Sequence, residues 1–316
     1  MVDVAAVVVT FNRREKLKTV LRSIEAQTLA PSQLIVIDNA STDGTSEYLD
    51  EREFSLPFEV VHLPSNTGGA GGFAEGMVRG YAAGADHVWI MDDDCYPEPE
   101  ALEKLVDGFD GAVRELGGDV PFACSVVEFT DGTICEMNNP VPTWDWGRLL
   151  VKGQQNVMVT ACSFVSVLIP RWAIAEYGLP YRDYFIWFDD REYTLRLTRR
   201  CPGVQVMDSV VVHDMGENRG VNFAMVTKDS LWKFAYGVRN EASYQLHHRG
   251  LLYYLEFGAR LSVSLHRGRV PLSIRARLLR RWFEGIRFNP PLEYPDRVPD
   301  VGAGAELPRV RVGSPA

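Results

Sequence analysis

The chain has 316 residues, 33 Lys plus Arg against 42 Asp plus Glu, and a formal net charge of −9. An apolar content of 46% and a charged content of 24% are typical of a packed soluble protein and exclude a disordered or fibrous chain. No apolar run approaches the roughly 18–20 residues of a membrane span, and the acid Asp3 argues against a signal peptide. Five scattered cysteines without a Cys-x-x-Cys pair predict reduced thiols in a cytosol. The negative charge also disfavours nucleic acid as a partner.

Charge is unevenly distributed along the chain. Residues 260–287 contain eight arginines and one acid, a net charge of +7, so the other residues together carry −16. In this stretch the arginines alternate with Leu, Ile, Val, Trp282 and Phe283, a pattern typical of a basic amphipathic helix. Two interpretations remain open: the helix contacts anionic lipid, or its arginines pair with the acidic remainder of the chain.

Strand and helix patterns alternate over the first 95 residues. The predicted strands span 4–9, 33–38, 58–63 and 87–91; the predicted helices span 15–28 and 45–51, and a third is opened by the glycine-rich loop 66–72 and runs to about residue 83. This alternation predicts an α/β fold with a mostly parallel central sheet flanked by helices. Ligands of such sheets bind beyond the carboxyl ends of the strands, where Thr10–Arg13, Asp38, Asn66 and Asp92–Asp94 fall.

The second half of the chain has a different pattern. The predicted strands span 122–129, 157–169 and 204–212; the predicted helices span about 190–199, 231–249, 251–265 and 272–288. The Pro/Gly-rich segment from residue 289 onward predicts an extended or mobile tail. We therefore expect an α/β domain followed by a helical C-terminal extension.

Three consecutive acids, Asp92, Asp93 and Asp94, follow the fourth predicted strand. Adjacent carboxylates repel one another unless a cation or solvent compensates their charge. Carboxylate oxygens at alternate positions can hold a divalent ion that bridges a diphosphate, and the alternative is a solvated acidic turn. The glycine-rich string 66–73 can bring backbone N–H groups close to a ligand, or it can form only a tight turn.

Asp189 and Asp190 lie where an aromatic loop meets a predicted helix. A carboxylate in this position can remove a proton from a substrate hydroxyl, which typically contributes about 10²–10⁴-fold in rate. The alternative is that one of them only caps the helix, and Glu192 can likewise serve only an i, i+4 pair with Arg196. His213 ends a predicted strand and can complete a carboxylate metal site if the acids lie nearby.

In their order along the chain, these strings resemble the family 2 inverting glycosyltransferases of GT-A fold, a Rossmann-like α/β architecture. The resemblance is greatest to the bacterial galactofuranosyltransferases that build cell-wall galactan. The matching motifs are Thr-Phe-Asn-Arg at 10–13, Ile-Asp-Asn at 37–39, Asn-x-Gly-Gly-x-Gly-Gly-Phe at 66–73, Met-Asp-Asp-Asp at 91–94, Phe-Asp-Asp-x-Glu-Tyr at 188–193, and His213. The resemblance covers roughly residues 4–245.

The resemblance implies a role for individual residues. Asp92, Asp94 and His213 would hold a divalent cation, Mn or Mg, and Asp190 would be the catalytic base. The implied donor-binding residues are Thr10, Phe11, Arg13, Asp38, Asn66, Gly69, Asp92 and Asp93. The candidate acceptor residues are Trp144, Trp146, Trp187, Asp189 and Glu192, although tryptophans such as Trp144 and Trp146 can equally close a core.

The sequence also departs from the family pattern. Phe188 stands where the galactofuranosyl enzymes have Trp, and Glu192 replaces an Asp. The chain starts at the first catalytic strand, whereas the polymerising enzyme carries an N-terminal β-rich domain, so we expect transfer of one or a few sugars. The expected division is a catalytic domain at 1–221, with a nucleotide-sugar half to about residue 116 and an acceptor half after it, a helical Arg-rich extension at 222–288 and a flexible tail at 289–316.

The resemblance favours galactofuranose from UDP-galactofuranose as the transferred sugar and a glycan or polyprenyl-linked glycan as the acceptor. Rhamnosyl or other hexosyl transfer, a protein acceptor, and a non-catalytic nucleotide-sugar-binding protein remain as alternatives. We expect a cytoplasmic protein with peripheral contact at the inner face of the membrane through its basic stretch.

Overall fold

The computed structural model describes residues 2–297, and ten strands in this range form one sheet. The strands are β1 (Val4–Thr10), β2 (Gln33–Asp38), β3 (Phe58–His62), β4 (His87–Asp92), β5 (Cys95–Pro97), β6 (Ala123–Phe129), β7 (Val141–Pro142), β8 (Asn156–Ala161), β9 (Val167–Pro170) and β10 (Gly203–His213). The α-helices are α1 (Arg14–Glu25), α2 (Thr45–Glu51), α3 (Gly68–Ala82), α4 (Ala101–Leu116), α5 (Arg171–Tyr177), α6 (Asp189–Leu197), α7 (Leu231–Tyr244), α8 (Leu251–Arg267) and α9 (Leu272–Glu284).

The strand order in the sheet is β3-β2-β1-β4-β9-β6-β10-β8-β7, with β5 paired to β10. Strands β1 to β4 are parallel because α1, α2 and α3 return the chain to the same end of the sheet each time. Beyond β4 most pairings are antiparallel, apart from the parallel pair of β6 and β10. The predicted α/β class with flanking helices is confirmed, and the sheet as a whole is mixed.

The hydrophobic core lies on both faces of this sheet. In β1, Val4, Ala6 and Val8 join the cluster formed with α1, and the intervening apolar residues join the cluster formed with α3. A strand covered on both faces is apolar without interruption, as the run 4–9 is. The strands that end at the polar edge are therefore rigid supports for the side chains that follow them.

The glycine-rich segment differs from its predicted form. It was expected to be a loop before a helix, but α3 already begins at Gly68. A Cβ at Gly72 would lie 2.4 Å from Val9 Cγ1, and one at Gly76 would lie 2.2 Å from Val7 Cγ1. These glycines therefore let α3 pack directly on β1. In the sequence, a helix that needs glycines for close packing has the same composition as a glycine-rich loop.

Two further predictions of local structure are wrong in detail. The apolar run 157–169 is two strands, β8 and β9, because the chain turns between them at residues 162–166. The predicted helix 231–249 ends as an α-helix at Tyr244 and continues as one π-helical turn over Gln245–Arg249. Helices α4 and α5 have no counterpart among the predicted elements, although the buried positions of α4 recur at helical spacing.

Helices α7, α8 and α9 form a helical region with its own apolar cluster, against which Trp187 from the preceding loop also packs. Residues 289–297 then run back along the sheet domain, where Leu179 N donates to Glu293 O at 2.9 Å. The remainder of the predicted flexible tail, 298–316, lies outside the described residues. Within 2–297, none of the helices combines the length and apolar character needed to cross a bilayer.

Candidate active site

The acids after β4 are held in place by the end of β1. Asp93 Oδ2 accepts hydrogen bonds from Thr10 Oγ1 at 2.8 Å and from Phe11 N at 3.1 Å. The Arg13 guanidinium lies 3.4 Å from Asp93 Oδ1 and also contacts Asp94. The register of β1 and β4, which places Val9 opposite Asp92, brings these groups together. Arg13 is thus a counter-charge for the acids in this structure.

The end of β10 completes the cluster. His213 Nε2 lies 3.2 Å from Asp94 Oδ1, and His213 Nδ1 lies 2.8 Å from Asn138 Oδ1. The Asn138 amide donates to Ser163 Oγ, so its oxygen faces His213 and accepts from Nδ1–H, and Nε2 is the ring nitrogen that faces Asp94 and that a bound cation would take. One ligand atom each from Asp92, Asp94, His213 and Cys95 lies within 4.8 Å of the others. Apart from its being polar, nothing in the sequence indicated that Asn138 would contact His213.

The electrostatics of the cluster favour a cation. Burial, and then the charges of Asp94 and Asp93, raise the pKa of Asp92 well above its ordinary value. Burial likewise raises the pKa of Asp93 to about 6. Burial opposes ionisation of Asp94 too, but the His213 hydrogen bond and the Arg13 charge outweigh it and lower the pKa. Two carboxylates and an imidazole nitrogen in so confined a space are a donor set that Mn²⁺ or Mg²⁺ accepts.

The edge of the sheet near β2 carries a second buried acid. The Asp38 carboxylate accepts from Ser41 N at 3.0 Å and from His62 Nδ1 at 2.9 Å, and it also contacts Ser46. These contacts outweigh the cost of burial and lower the pKa of Asp38 to about 2. Asp38 is therefore ionised and fixed in orientation.

The start of α3 adjoins this edge. Asn39 Nδ2 donates to Gly68 O at 2.8 Å, and Asn39 Oδ1 accepts from Thr67 N at 2.8 Å. Asn66 Oδ1 accepts from Gly68 N at 2.7 Å, while Gly69 lies half-buried in the first turn. Asn39, which the sequence already placed after the second strand in the Ile-Asp-Asn motif, thus ties β2 to α3.

The loop before α6 has a strained backbone. Phe185, Trp187 and Phe188 have φ angles of 65°, 66° and 72°, in the left-handed region that costs a non-glycine residue about 1–3 kcal/mol. Asn240 of α7 is fully buried and donates to the carbonyl oxygens of three loop residues. Those bonds run to Tyr184 O at 2.9 Å, Ile186 O at 3.2 Å and Trp187 O at 2.9 Å. The surrounding structure therefore imposes the loop conformation.

This loop delivers Asp189 and Asp190 to the same region as the other acids. Burial, and then the charge of Asp190, raise the pKa of Asp189 to about 8, and the charge of Asp189 in turn raises the pKa of Asp92. Burial also raises the pKa of Asp190 to about 6, while its Oδ1 accepts from Arg191 N at 2.6 Å. Of these two interacting acids Asp190 loses its proton more readily, because its Oδ1 accepts from Arg191 N and the Arg191 charge lies nearby.

The other candidate acceptor residues have different surroundings. Glu192 is fully buried and forms a two-point ion pair with Arg196, with N–O distances of 3.0 and 2.9 Å. Trp187 packs edge-on against Phe234, with ring centroids 4.7 Å apart. Trp144 is 92% exposed and Trp146 is 49% exposed, in the connection between β7 and β8. In residues 2–297 no hydrogen bond or ring contact joins either of these two tryptophans to the acids, and their role in acceptor binding stays a prediction.

The Rossmann-like sheet, with acids converging at the carboxyl ends of its strands and a helical C-terminal region, defines a glycosyltransferase of GT-A fold. The sequence model of glycosyl transferase family 2 matches residues 5–127, and the chain belongs to this family. It is 31% identical to galactofuranosyltransferase GlfT1 of Mycobacterium tuberculosis over 227 residues, which are 68% of this chain and 71% of that protein. It is 43% identical to GlfT1 of Mycolicibacterium smegmatis over 94 residues, which are 30% of each chain.

Solved structures show the same fold at low sequence identity. The crystal structure of S. aureus TarS has a TM-score of 0.56 and 15% identity over 90% of this chain and 49% of that chain. The crystal structure of GalNAc-T7 with UDP, GalNAc and Mn²⁺ has a TM-score of 0.55 and 15% identity over 78% of this chain and 49% of that chain.

Proposed function

We propose that this glycosyltransferase moves galactofuranose from UDP-galactofuranose to a hydroxyl group of a glycan or polyprenyl-linked glycan, with inversion at the anomeric carbon. The convergence of Asp92, Asp94, His213 and the Asp189–Asp190 pair at one edge of the sheet carries the proposal. The names of the GlfT1 relatives support the donor sugar. A TarS complex with UDP-GlcNAc, covering 90% of this chain at a TM-score of 0.55, supports a UDP-linked donor.

The donor would lie across the ends of β1, β2 and β4 and the start of α3. Thr10 ends β1, Phe11 and Arg13 follow it, and Asp38 ends β2 as a fixed carboxylate that can accept hydrogen bonds from a nucleoside. Asn66 precedes α3 and Gly69 lies in its first turn, where the positive end of the helix dipole favours an anion. The Asp93 carboxylate links β1 to β4 in this arrangement.

Asp92, Asp94 and His213 would hold the divalent cation. When bound, such a cation supplies charge that stabilises the departing diphosphate. In the cation's absence Arg13 neutralises part of the acidic charge, as its contacts with Asp93 and Asp94 indicate.

Asp190 would be the catalytic base that removes the proton from the acceptor hydroxyl as that oxygen attacks the anomeric carbon. Asp190 is the more acidic of the two neighbouring carboxyl groups, because Arg191 stabilises its ionised form through a hydrogen bond and its charge. It is therefore the better placed of the two to accept a proton, because a protonated acid cannot do so. Asp189 would instead donate a hydrogen bond or line the site as an uncharged side chain.

The first experiment is a donor screen with UDP-, GDP- and dTDP-sugars plus manganese, read out by thermal shift and by transfer to an authentic acceptor. The proposal expects UDP-galactofuranose to give the largest thermal shift and transfer. A preference for a dTDP-linked sugar would instead support rhamnosyl transfer. Donor binding without turnover on any acceptor would support the non-catalytic alternative.

The second experiment compares Asp190→Asn with Asp189→Asn. Asp190→Asn is expected to lower transfer by about 10²–10⁴-fold with donor affinity unchanged, because a base contributes to the chemical step. Asp189→Asn is the matched control, since an amide resembles a protonated carboxyl group in size and hydrogen bonding, and it should retain much more activity. Near-normal transfer by Asp190→Asn would remove Asp190 from the role of base.

We also propose peripheral contact with an anionic membrane, through the outer face of α8. Leu252, Leu255 and Val263 recur at helical spacing on this face and are 81%, 49% and 48% exposed. Arg267 ends the helix and Arg269 follows it, and no ion pair of theirs is found in residues 2–297. An exposed apolar stripe with basic residues at its end matches a bilayer surface that bears negative charge, at about 1 kcal/mol per basic residue.

The other interpretation of the basic stretch, in which its arginines pair with the acidic remainder of the chain, has less support. Arg260 pairs with Glu241 and Glu256, and Arg280 and Arg281 both pair with Glu284. All three glutamates belong to the helical region itself. Within the described part of the chain, no arginine of 260–287 pairs with an acid of the sheet domain.

Sedimentation with vesicles tests the membrane contact without donor or acceptor. Binding to vesicles containing anionic lipid at low salt is expected, with loss in Leu252→Ser/Leu255→Ser. Val151→Ser is the control, since Val151 is 84% exposed in another part of the surface. Absence of binding at low salt, or equal loss in the control, would contradict the proposal.

A further inference from the structure

The segment that carries the proposed base is held by residues distant in the sequence. Phe185, Trp187 and Phe188 all adopt left-handed backbone angles, a conformation that an unrestrained segment of these residues does not keep. Asp189 and Asp190 follow at once as the first residues of α6. The direction of the Asp190 side chain therefore depends on whatever keeps the preceding backbone in place.

Asn240 makes the most direct restraint on this backbone. It is fully buried, and its Nδ2 atom lies 2.9–3.2 Å from the carbonyl oxygens of Tyr184, Ile186 and Trp187. The two N–H groups of one amide thus serve three loop carbonyl oxygens, one of which, Tyr184 O, also accepts from Ile186 N at 2.8 Å. No other side-chain type of this size presents two N–H donors and an acceptor in one plane.

The orientation of the Asn240 amide is itself fixed. Its oxygen accepts from Arg239 Nε at 3.1 Å and from Arg239 Nη2 at 2.9 Å. Arg239 Nη2 also donates to Asp183 O at 2.7 Å, just before the loop. Two adjacent residues of α7 therefore hold both ends of the same loop, and Asn240 cannot rotate without losing these bonds.

We propose that Asn240 is a positioning residue for glycosyl transfer, which holds the 184–187 backbone so that Asp190 is directed at the acceptor hydroxyl. The inference rests on the proposed role of Asp190 and extends it to a residue of the helical region. Within residues 2–297 the Asn240 side chain hydrogen-bonds only to the loop backbone and to Arg239, so its effect on the reaction passes through the loop. Donor binding is proposed to depend on other residues, at the ends of β1, β2 and β4 and at the start of α3. The loop contacts that helix through Phe185 O, which accepts from Ala70 N at 3.2 Å, and Phe185 is the loop residue whose carbonyl Asn240 does not bond.

The test compares Asn240→Ala with Asn156→Ala in the full chain. Asn156 is the matched control because it is also a buried asparagine, 1% exposed, whose Nδ2 donates to a backbone oxygen, that of Gly108 at 2.7 Å. Asn240→Ala is expected to lower kcat about 10- to 100-fold, since misplacing a reacting group by about 1 Å can cost that much. The donor Kd by titration and the donor KM should stay within about twofold.

A merely structural role for Asn240 predicts a different result. It would lower the folded fraction and leave kcat per folded molecule unchanged, or it would affect kcat equally in Asn156→Ala. Either outcome overturns the inference, as does a donor Kd that rises in step with the loss of kcat. If Asn240→Ala does not fold, Asn240→Ser replaces it; serine retains one donor, so kcat per folded molecule should fall below that of the wild type with donor Kd unchanged, and an unchanged kcat would overturn the inference.

The same assay separates this inference from the proposed function. Near-normal transfer by Asp190→Asn would contradict the base role, whatever Asn240 does. An inactive Asp190→Asn together with a fully active Asn240→Ala would leave the base role intact and overturn only the positioning role of Asn240.

Discussion

The parallel half of the sheet, β1 to β4, and the helical region, α7 to α9, position the acids of the site in different ways. Asp92–Asp94 directly follow a buried strand, and the neighbouring strand β1 supplies Thr10 and Arg13 to them. Asp189 and Asp190 follow a strained loop whose backbone is bonded by Asn240, some 50 residues later. The comparison teaches that strand ends orient the proposed metal and donor side, whereas helix-to-loop contacts orient the proposed base. We expect substitutions in the first region to change donor and metal affinity, and those in the second to change turnover.

The largest effect on binding is expected around His213. Asp94→Ala should abolish the manganese dependence of donor binding, because it removes a proposed ligand. Asn138→Ala should weaken manganese binding by about 10–100-fold, since loss of a partner that orients a metal-binding imidazole has this cost. Calorimetric titration of manganese measures both, with Asn156→Ala as the control. Unchanged manganese affinity in Asn138→Ala would show that Asn138 does not orient His213.

The pH dependence of turnover should report on the loop acids. A base works only when ionised, and burial raises the pKa of Asp190 to about 6. At saturating donor, kcat should therefore be constant above about pH 7 and should fall towards one tenth of that value near pH 5. A kcat that stays flat between pH 5 and 7 would contradict the assignment of the base. Saturating donor matters because the pKa of Asp93, at the donor side, is also about 6.

A smaller effect is expected at the contact between α7 and Trp187. A Cβ at Gly237 would lie 3.0 Å from Trp187 Cε3, so Gly237→Ala must displace the loop by a few tenths of an ångström. Turnover should fall a few-fold while donor affinity is unchanged, since the displacement is a fraction of the ~1 Å that costs 10²-fold. The assay is steady-state kinetics with donor titration. A change in donor affinity with unchanged turnover would contradict the expectation that substitutions in the second region change turnover rather than donor affinity.

The smallest effect is expected at His62, in the parallel half. The hydrogen bond with Asp38 raises the pKa of His62, so its contribution to stability is present below pH 6.5 and is lost as pH rises through the raised pKa. Because the side chain is 36% exposed, His62→Ala should lower the free energy of unfolding by under about 1 kcal/mol at pH 5.5 and by less at pH 9. Urea unfolding at the two pH values measures this. A larger loss at pH 9 would contradict the assigned sign.

Local sequence was enough to predict the parallel half. The apolar runs of β1 and β2 are continuous because both faces of these strands are buried, and β2 was predicted with its observed bounds. Polar residues after such runs must lie at the carboxyl edge, which is why Asp92–Asp94 and Asp38 could be singled out. The glycine-rich string misled in one respect: its glycines meet a packing need of α3 on β1, and composition alone does not separate that need from a loop.

The sequence by itself determined the α/β class, the family and the acids that carry the proposed chemistry, because burial and charge are properties of short segments. Only the tertiary structure revealed that Asn138 bonds His213, that Arg13 lies against the acids, and that Asn240 bonds the loop before Asp190. The physical reason is that an asparagine side chain carries no periodic signal. The partners that matter here, His213 for Asn138 and the loop carbonyl oxygens for Asn240, lie 53 to 75 residues away in the sequence, and folding alone decides that they meet.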